Sequence, residues 1–326
     1  MLPIFITVFA GLFGLAFGSF LNVCASRWPE EESIVKGRSH CRSCGRTLAW
    51  WENIPLASYI ALRGRCRTCH ASIGWRSPLV ELAVGGLWAF EGWRVFQGTT
   101  DLALPIGVLC YQLSIALGMM VLLWLLVALA VLDLENLWLP DRLTWPGIVL
   151  GLLTTLIWLT ALGKLNKTYF ADMSISALPM TLSMESVTKL ESFLGAVRFP
   201  GTGIPVLGPL LALLAAPILA AGIILLIRWV YWLVRRREGL GLGDAKLMAM
   251  LAAWLGLHGA WLAFSIGCVL GAIAALGMLA LPRTPADGEN WAMRKLPLGT
   301  FMCLGAIVTV LWGEQLIALY ASWAGL

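Results

Sequence analysis

The sequence predicts an all-α polytopic membrane protein with about eight transmembrane helices and one small cytoplasmic loop domain. Two observations carry the membrane class. Of the 326 residues, 59% are hydrophobic and only 13% are charged, against about 25% charged in a typical soluble domain. Apolar runs approaching the ~20 residues that cross a bilayer recur from one end of the chain to the other. The loop domain follows from a third observation: the polar segment after the first run carries two paired-cysteine knuckles.

The runs fall at about 4–24, 79–97, 112–132, 143–163, 206–233, 260–281 and 299–320, with a shorter one at 245–257. The first opens on Met1-Leu2-Pro3 without a basic flank and ends in Gly18-Ser19-Phe20-Leu21-Asn22-Val23 rather than a small-residue cleavage site. It is therefore expected to be a retained first span, 1–24, and not a removable signal peptide. The loop domain occupies 25–77, and a membrane core occupies 78–326, interrupted by an outside loop over 164–205. Lys and Arg concentrate in 25–77, in Arg228 with Arg235, Arg236 and Arg237, and in Arg283 with Arg294 and Lys295. Positive-inside bias makes these three segments cytoplasmic, and eight spans with an outside N-terminus put all three on one side. The net charge of +5 is accounted for by those loops and calls for no nucleic-acid partner; the expected partner is membrane lipid.

The 25–77 segment lacks the apolar content for a core of its own, so something else must hold it together. Cys41-Arg42-Ser43-Cys44 and Cys66-Arg67-Thr68-Cys69 lie 21 residues apart. Each knuckle turn delivers two sulfurs from one side, and two knuckles suit four thiolates around a tetrahedral zinc ion. A reducing compartment argues against two disulfides; redox dithiols or free thiols are the alternatives. Four cysteines leave no open position for a catalytic water, so the expected zinc is structural. His70, beside Cys69, is a competing ligand or a solvated loop residue.

Two acids stand at the ends of apolar runs. Asp133 follows Leu125–Leu132, and Asp244 closes Gly239-Leu240-Gly241-Leu242-Gly243-Asp244-Ala245-Lys246. A carboxylate within a membrane helix costs roughly 2.5 kcal/mol or more, so acids placed there usually face protein or water and have a function; the alternative is a pair of interfacial acids ending helices. The glycine run lacks Gly-Lys-Ser/Thr and follows no strand, so it fails as a phosphate loop. Its glycines permit close backbone approach beside an acid, or form a flexible hairpin. Asp141 follows Pro140 at the start of the fourth helix and is expected to cap it. Two carboxylates in a partly dry site share a proton, and such a pair hydrolyses peptides. The three histidines, His40, His70 and His258, fall away from the acids, which disfavours a histidine-activated nucleophile. A proton-coupled carrier would also use paired acids, but carriers place them near the midplane.

Several segments in this order resemble the bacterial type IV prepilin peptidases: Gly18–Val23 leading to Arg27-Trp28-Pro29, both knuckles with Arg63-Gly64-Arg65-Cys66, Pro78-Leu79-Val80-Glu81, Asp133 through Pro140-Asp141-Arg142-Leu143-Thr144, and Gly239 through Leu247. Pro297-Leu298-Gly299-Thr300-Phe301 is similar to that family's Pro-Phe-Gly-Pro-Phe segment, with Leu298 and Thr300 departing from it. The resemblance implies an inner-membrane aspartic endopeptidase, cleaving the basic leader of type IV prepilins or type II secretion pseudopilins at the cytoplasmic face. Methylation of the new N-terminus with S-adenosylmethionine would follow; a peptidase without methyltransferase activity is the alternative. It implies Asp133 and Asp244 as the catalytic pair, Cys41, Cys44, Cys66 and Cys69 as zinc ligands, and Gly239, Gly241, Gly243, Lys246, Pro140 and Asp141 as supporting residues. No segment of the sequence reads as an S-adenosylmethionine site.

Overall fold

A computed structural model describes residues 2–35, 37–97, 106–169, 207–236, 241–280 and 296–324. Helices α1 (Leu2–Arg27), α2 (Ala57–Ala61), α3 (Arg76–Phe96), α4 (Ile106–Asn136), α5 (Asp141–Tyr169), α6 (Leu207–Arg235), α7 (Leu242–Ala280) and α8 (Leu298–Ala324) account for the regular structure, with one 3₁₀ turn at Trp50–Asn53. Among the described residues the only β pairing is two isolated bridges, His40 with Thr47 and Arg65 with Ser72. The chain divides into two compact units, Met1–Leu132 and Asp133–Leu326.

The all-helical membrane class holds. Four helices are long and apolar enough to cross a bilayer, Pro3–Arg27, Ile106–Asn136, Leu211–Arg235 and Leu242–Met278, and Leu298–Gly313 is a shorter apolar stretch. The expected count of eight crossings is thus supported by length and composition for only some of them. Helix α3 covers the second expected run but carries Glu81, Glu91 and Arg94 along its length. Two of those charges neutralise each other: Arg94 Nη2 lies 2.8 Å from Glu91 Oε2, and Glu91 is fully buried. Helix α5 runs on to Tyr169, so the first residues of the expected outside loop are helical; from 170 onward that loop lies outside the described residues, as do Gly239 and most of 282–297.

In the first unit α1 packs along α3, and the polar segment is tied to both helices. Arg27, the basic residue in the last turn of α1, donates from Nη1 to the Ser33 carbonyl at 2.9 Å and so folds the chain back on the helix end. Glu81 of α3 accepts the Leu56 N–H at 2.9 Å.

In the second unit α7 packs against α5, α6 and α8. Its leading half is apolar on every side, as a helix enclosed by others must be: the eight residues Leu247–Trp254 are all buried. Trp254 Nε1 donates to the Gly147 carbonyl of α5 at 2.8 Å, and Thr155 Oγ1 of α5 donates to the Ala253 carbonyl at 3.1 Å. Helix α7 is broken at Gly256, whose φ of 70° and ψ of 177° lie in a region open to glycine almost alone. The break separates the two expected runs 245–257 and 260–281. The outer faces elsewhere are apolar: Ile218, Leu219 and Leu226 of α6 are exposed, and Trp229, Tyr231 and Trp232 join Arg235 at its end, an arrangement typical of a membrane–water boundary.

A side chain at 256 would strain the break by about 1–3 kcal/mol. Gly256→Ala is therefore expected to lower the thermal midpoint of the detergent-solubilised protein, measured by tryptophan fluorescence, whereas alanine at the exposed, helical Gly277 should leave it unchanged or raise it.

Candidate functional site: a carboxylate pair and a four-cysteine cluster

Both singled-out acids lie in the second unit, each held by a helix N-terminus. The first N–H groups of any helix lack partners within it, and the dipole there favours negative charge. Asp133, in the last turn of α4 and 6% exposed, meets the start of α8. Its Oδ2 accepts the Thr300 N–H at 2.7 Å and the Thr300 hydroxyl at 3.1 Å. Asp244, 9% exposed, is the third residue of α7, and its Oδ2 accepts the N–H of Gly241, just outside that helix, at 3.0 Å. A third-position acid reaching back in this way makes half of a capping box. Cys303, one turn further along α8 than Thr300, is fully buried.

The neighbouring motif residues set this geometry. Helix α4 ends at Leu137, whose φ of 50° is left-handed and whose N–H bonds the Asp133 carbonyl at 2.8 Å; a left-handed residue closing a helix is usually glycine, so a leucine here is strained. The chain then passes Leu139 to Pro140, whose carbonyl accepts the N–H groups of Leu143 at 3.0 Å and Thr144 at 3.2 Å and so starts α5. Asp141, expected as a cap, is the first residue of α5, and its carboxylate pairs with Lys246 Nζ of α7. Gly243 faces Leu139. At Gly299 a Cβ would lie 2.9 Å from Asp133 Oδ2 and 3.0 Å from Leu139 Cδ1, so only a bare backbone lets the start of α8 approach the carboxylate. Of the expected supporting residues, only Gly239 lies outside the described part.

The four cysteines lie in the first unit, and their sulfurs all fall within 4.8 Å of one another. Cys41 Sγ and Cys69 Sγ are 3.8 Å apart, the edge of a tetrahedron with metal–sulfur bonds of about 2.3 Å. None of the four is in a disulfide, and the cluster could hold a metal ion such as zinc. The knuckles repeat one design. Cys41 N–H bonds the Arg46 carbonyl and Cys66 N–H bonds the Ala71 carbonyl, each at 2.9 Å. Gly45 (φ 71°) and His70 (φ 55°) occupy the same left-handed position one residue past each second cysteine. His70 is exposed and lies outside the cluster. Backbone N–H groups tune the sulfurs: those of Cys69 and Thr68 help pull Cys66 down to about 6, and those of Cys44 and Ser43 lower Cys41. Below the first knuckle Arg46 grips Glu52 with two bonds, Nη2 to Oε1 at 2.7 Å and Nη1 to Oε2 at 3.1 Å. Ala49 N–H adds a third at 2.7 Å. Arg46 first, and then that N–H, hold the Glu52 carboxyl below its usual range.

Sequence reasoning missed Thr300 and Gly299 as the partners of Asp133, Leu139 between the helix starts, the Lys246–Asp141 pair, and the Arg46–Glu52 clasp. The available signal was Pro297 immediately before an apolar run, which marks a helix start with unpaired donors.

The bacterial peptidase A24 N-terminal domain model matches residues 12–95, and the type IV leader peptidase family model matches residues 192–276. A prepilin leader peptidase/N-methyltransferase of Pseudomonas aeruginosa is 30% identical, covering 96% of this chain and 93% of that relative. Relatives of the same name from Stutzerimonas stutzeri (29% identical; 99% and 96% covered) and Myxococcus xanthus (36% identical; 88% and 68% covered) also match. No solved structure matches.

Metal analysis of the purified chain is expected to give one divalent ion per molecule, lost together with protease resistance of the polar segment in Cys66→Ser, because ligand binding there is also folding energy. His70→Gly should retain the metal and gain about 1 kcal/mol of stability, since it relieves a left-handed non-glycine residue.

Proposed function

We propose that this chain, which belongs to the type IV leader peptidase family, cleaves the basic leader from type IV prepilins or type II secretion pseudopilins at the cytoplasmic face of the inner membrane and then methylates the new N-terminal amine. The observation that carries the reading is the carboxylate pair: two buried acids, Asp133 and Asp244, on helix ends that both pack against Leu139, each fixed by backbone donors. The names of the relatives support both activities. The basic loops and the aromatic and basic end of α6 support the membrane orientation.

In each acid Oδ2 is engaged by its donors, so Oδ1 is the oxygen presented to substrate and water. With one carboxyl ionised and the other protonated, the ionised member takes a proton from water as the water oxygen attacks the scissile carbonyl carbon. The protonated member donates to the carbonyl oxygen. Collapse of the tetrahedral intermediate breaks the C–N bond, and the leaving amine takes a proton from the pair. Thr300 is a positioning residue, holding the Asp133 carboxylate through two bonds. The Lys246–Asp141 pair ties the start of α7, which carries Asp244, to the start of α5. Cys41, Cys44, Cys66 and Cys69 would hold zinc, which supplies a structural crosslink and no open coordination site for catalysis.

Asp133→Asn and Asp244→Asn are each expected to abolish cleavage of a prepilin in detergent while the protein stays folded, because an amide cannot exchange the proton; near wild-type cleavage by either would refute the pair. Thr300→Val, which keeps the shape and the N–H but loses the hydroxyl, should lower kcat about tenfold with KM unchanged, and Thr300→Ser should restore it.

Methyl transfer needs a neutral amine as nucleophile and no proton exchange at an aspartate. Asp244→Asn is thus expected to methylate a peptide supplied already cleaved, read by mass spectrometry as an added methyl group, while failing on the full precursor. Absence of methylation even in the wild type would leave a peptidase alone.

A further inference from the structure

Each acid is tied to a helix start, Asp244 at that of α7 and Asp133, through Thr300, at that of α8. One side chain reaches both starts. A Cβ at Gly243, the residue before Asp244, would lie 3.1 Å from Leu139 Cδ1 and 3.2 Å from Leu139 Cβ. A Cβ at Gly299, the residue before Thr300, would lie 3.0 Å from the same Cδ1. Non-bonded carbons prefer about 3.5–4.0 Å, so a side chain at either glycine would have to displace the leucine. A single methyl group thus lies against the bare backbone of α7 and of α8.

Leu139 is held where it stands. It belongs to the 137–140 connection between α4 and α5, which is pinned on both sides. Before it, Leu137 N–H bonds the Asp133 carbonyl at 2.8 Å; after it, the Pro140 carbonyl accepts the N–H groups of Leu143 and Thr144. Asp141, two residues on, pairs with Lys246 of α7. The leucine backbone is thereby fixed both to the helix that carries Asp133 and to the helix that carries Asp244. Gly243 and Gly299 have no side chains with which to hold the two helix starts apart. Without the leucine side chain a gap would remain between them, and the surrounding structure would relax part of the way into it. For reacting groups that shift is costly, since a misplacement of about 1 Å can lower a rate about a hundredfold.

We propose that Leu139 is a positioning residue for the carboxylate pair: its side chain is the spacer that sets the separation of Asp133 and Asp244. The proposal rests on the reading of those two acids as the hydrolytic pair. The spacer keeps the start of α8, which orients Asp133 through Thr300, at a fixed distance from the start of α7, which carries Asp244. One water and one scissile carbonyl then fit between the oxygens that the acids present. A spacer of this kind acts on the chemical step and leaves the grip on the rest of the substrate alone, so its loss falls on kcat and not on KM.

The test is cleavage of a prepilin by the purified full chain in detergent, with kcat and KM measured separately and the thermal midpoint of each variant followed by tryptophan fluorescence. Leu139→Ala should lower kcat about tenfold to a hundredfold with KM within about twofold of wild type. Leu139→Met, which keeps the volume, should recover most of that loss. Leu139→Val, trimmed by one carbon and so less of a burden on folding, should show the same split on a smaller scale, about threefold in kcat. Gly243→Ala should also lower kcat, because its methyl carbon meets Leu139. In the double variant Gly243→Ala/Leu139→Ala that methyl takes up part of the vacated space, so kcat should fall by less than the product of the two single losses. Losses that simply multiply, or wild-type kcat in both Leu139→Ala and Leu139→Val, would overturn the spacer and leave the carboxylate pair intact. Near wild-type cleavage by Asp133→Asn or Asp244→Asn would bring down the pair itself, and the spacer with it.

Discussion

The arrangement in the second unit depends on one kind of interaction: a carboxylate accepting the unpaired N–H groups at a helix start. Asp133 takes those of α8 through Thr300, and Asp244 takes one at the mouth of its own helix through Gly241. Each bond meets two needs at once. A helix start enclosed by protein must find acceptors for its donors, and a carboxylate removed from water must find donors and positive potential. Here each supplies what the other lacks, so two buried acids stand at the ends of apolar helices without lysine or arginine bonded to them in the hydrogen bonds described above. The bonds that Asp133 and Asp244 accept from Thr300 and Gly241 come from backbone N–H groups and a hydroxyl, donors that leave a proposed proton-exchanging pair freer to trade protons than guanidinium groups would.

The first unit solves a different problem. Its polar segment has little apolar material, and order comes from discrete polar ties: the thiol cluster, the Arg46–Glu52 clasp with Ala49, the Arg27 bonds that close the end of α1, and Glu81 receiving Leu56. Such ties fix positions without filling volume. A module assembled that way retains a hollow of about 490 Å³, lined in part by Cys41, Arg46, Glu52, Cys66 and Glu81, which also do the tying.

Much of this was legible in the sequence, for identifiable reasons. Hydropathy and charge revealed the helical membrane class because both are additive along a chain. The cysteine knuckles were legible because a turn that presents two sulfurs has a fixed local spacing, and the structure brings all four sulfurs together as that spacing requires. Asp133 and Asp244 stood out because acids seldom end apolar runs. Thr300 did not, because its role exists only where α8 meets a residue 167 positions earlier, and no local pattern records such a meeting. Asp141 was read as a cap from its place after Pro140, while its carboxylate pairs with Lys246, 105 residues away. The number of crossings was the least legible feature, since α3 carries charges and α7 is one long run broken only by the backbone of Gly256.

That break bears on the lipid environment. The leading half of α7, from Leu242 to the residue before Gly256, is about 21 Å long at 1.5 Å per residue, well short of a hydrocarbon layer of about 30 Å. A helix of that length facing lipid would force the bilayer to thin around it. Leu247–Trp254, however, are buried without interruption, so protein and not acyl chains surrounds this half. The place of Asp244 among the helices is consequently set by side-chain packing against α5, α6 and α8, and not by the thickness of the bilayer around them.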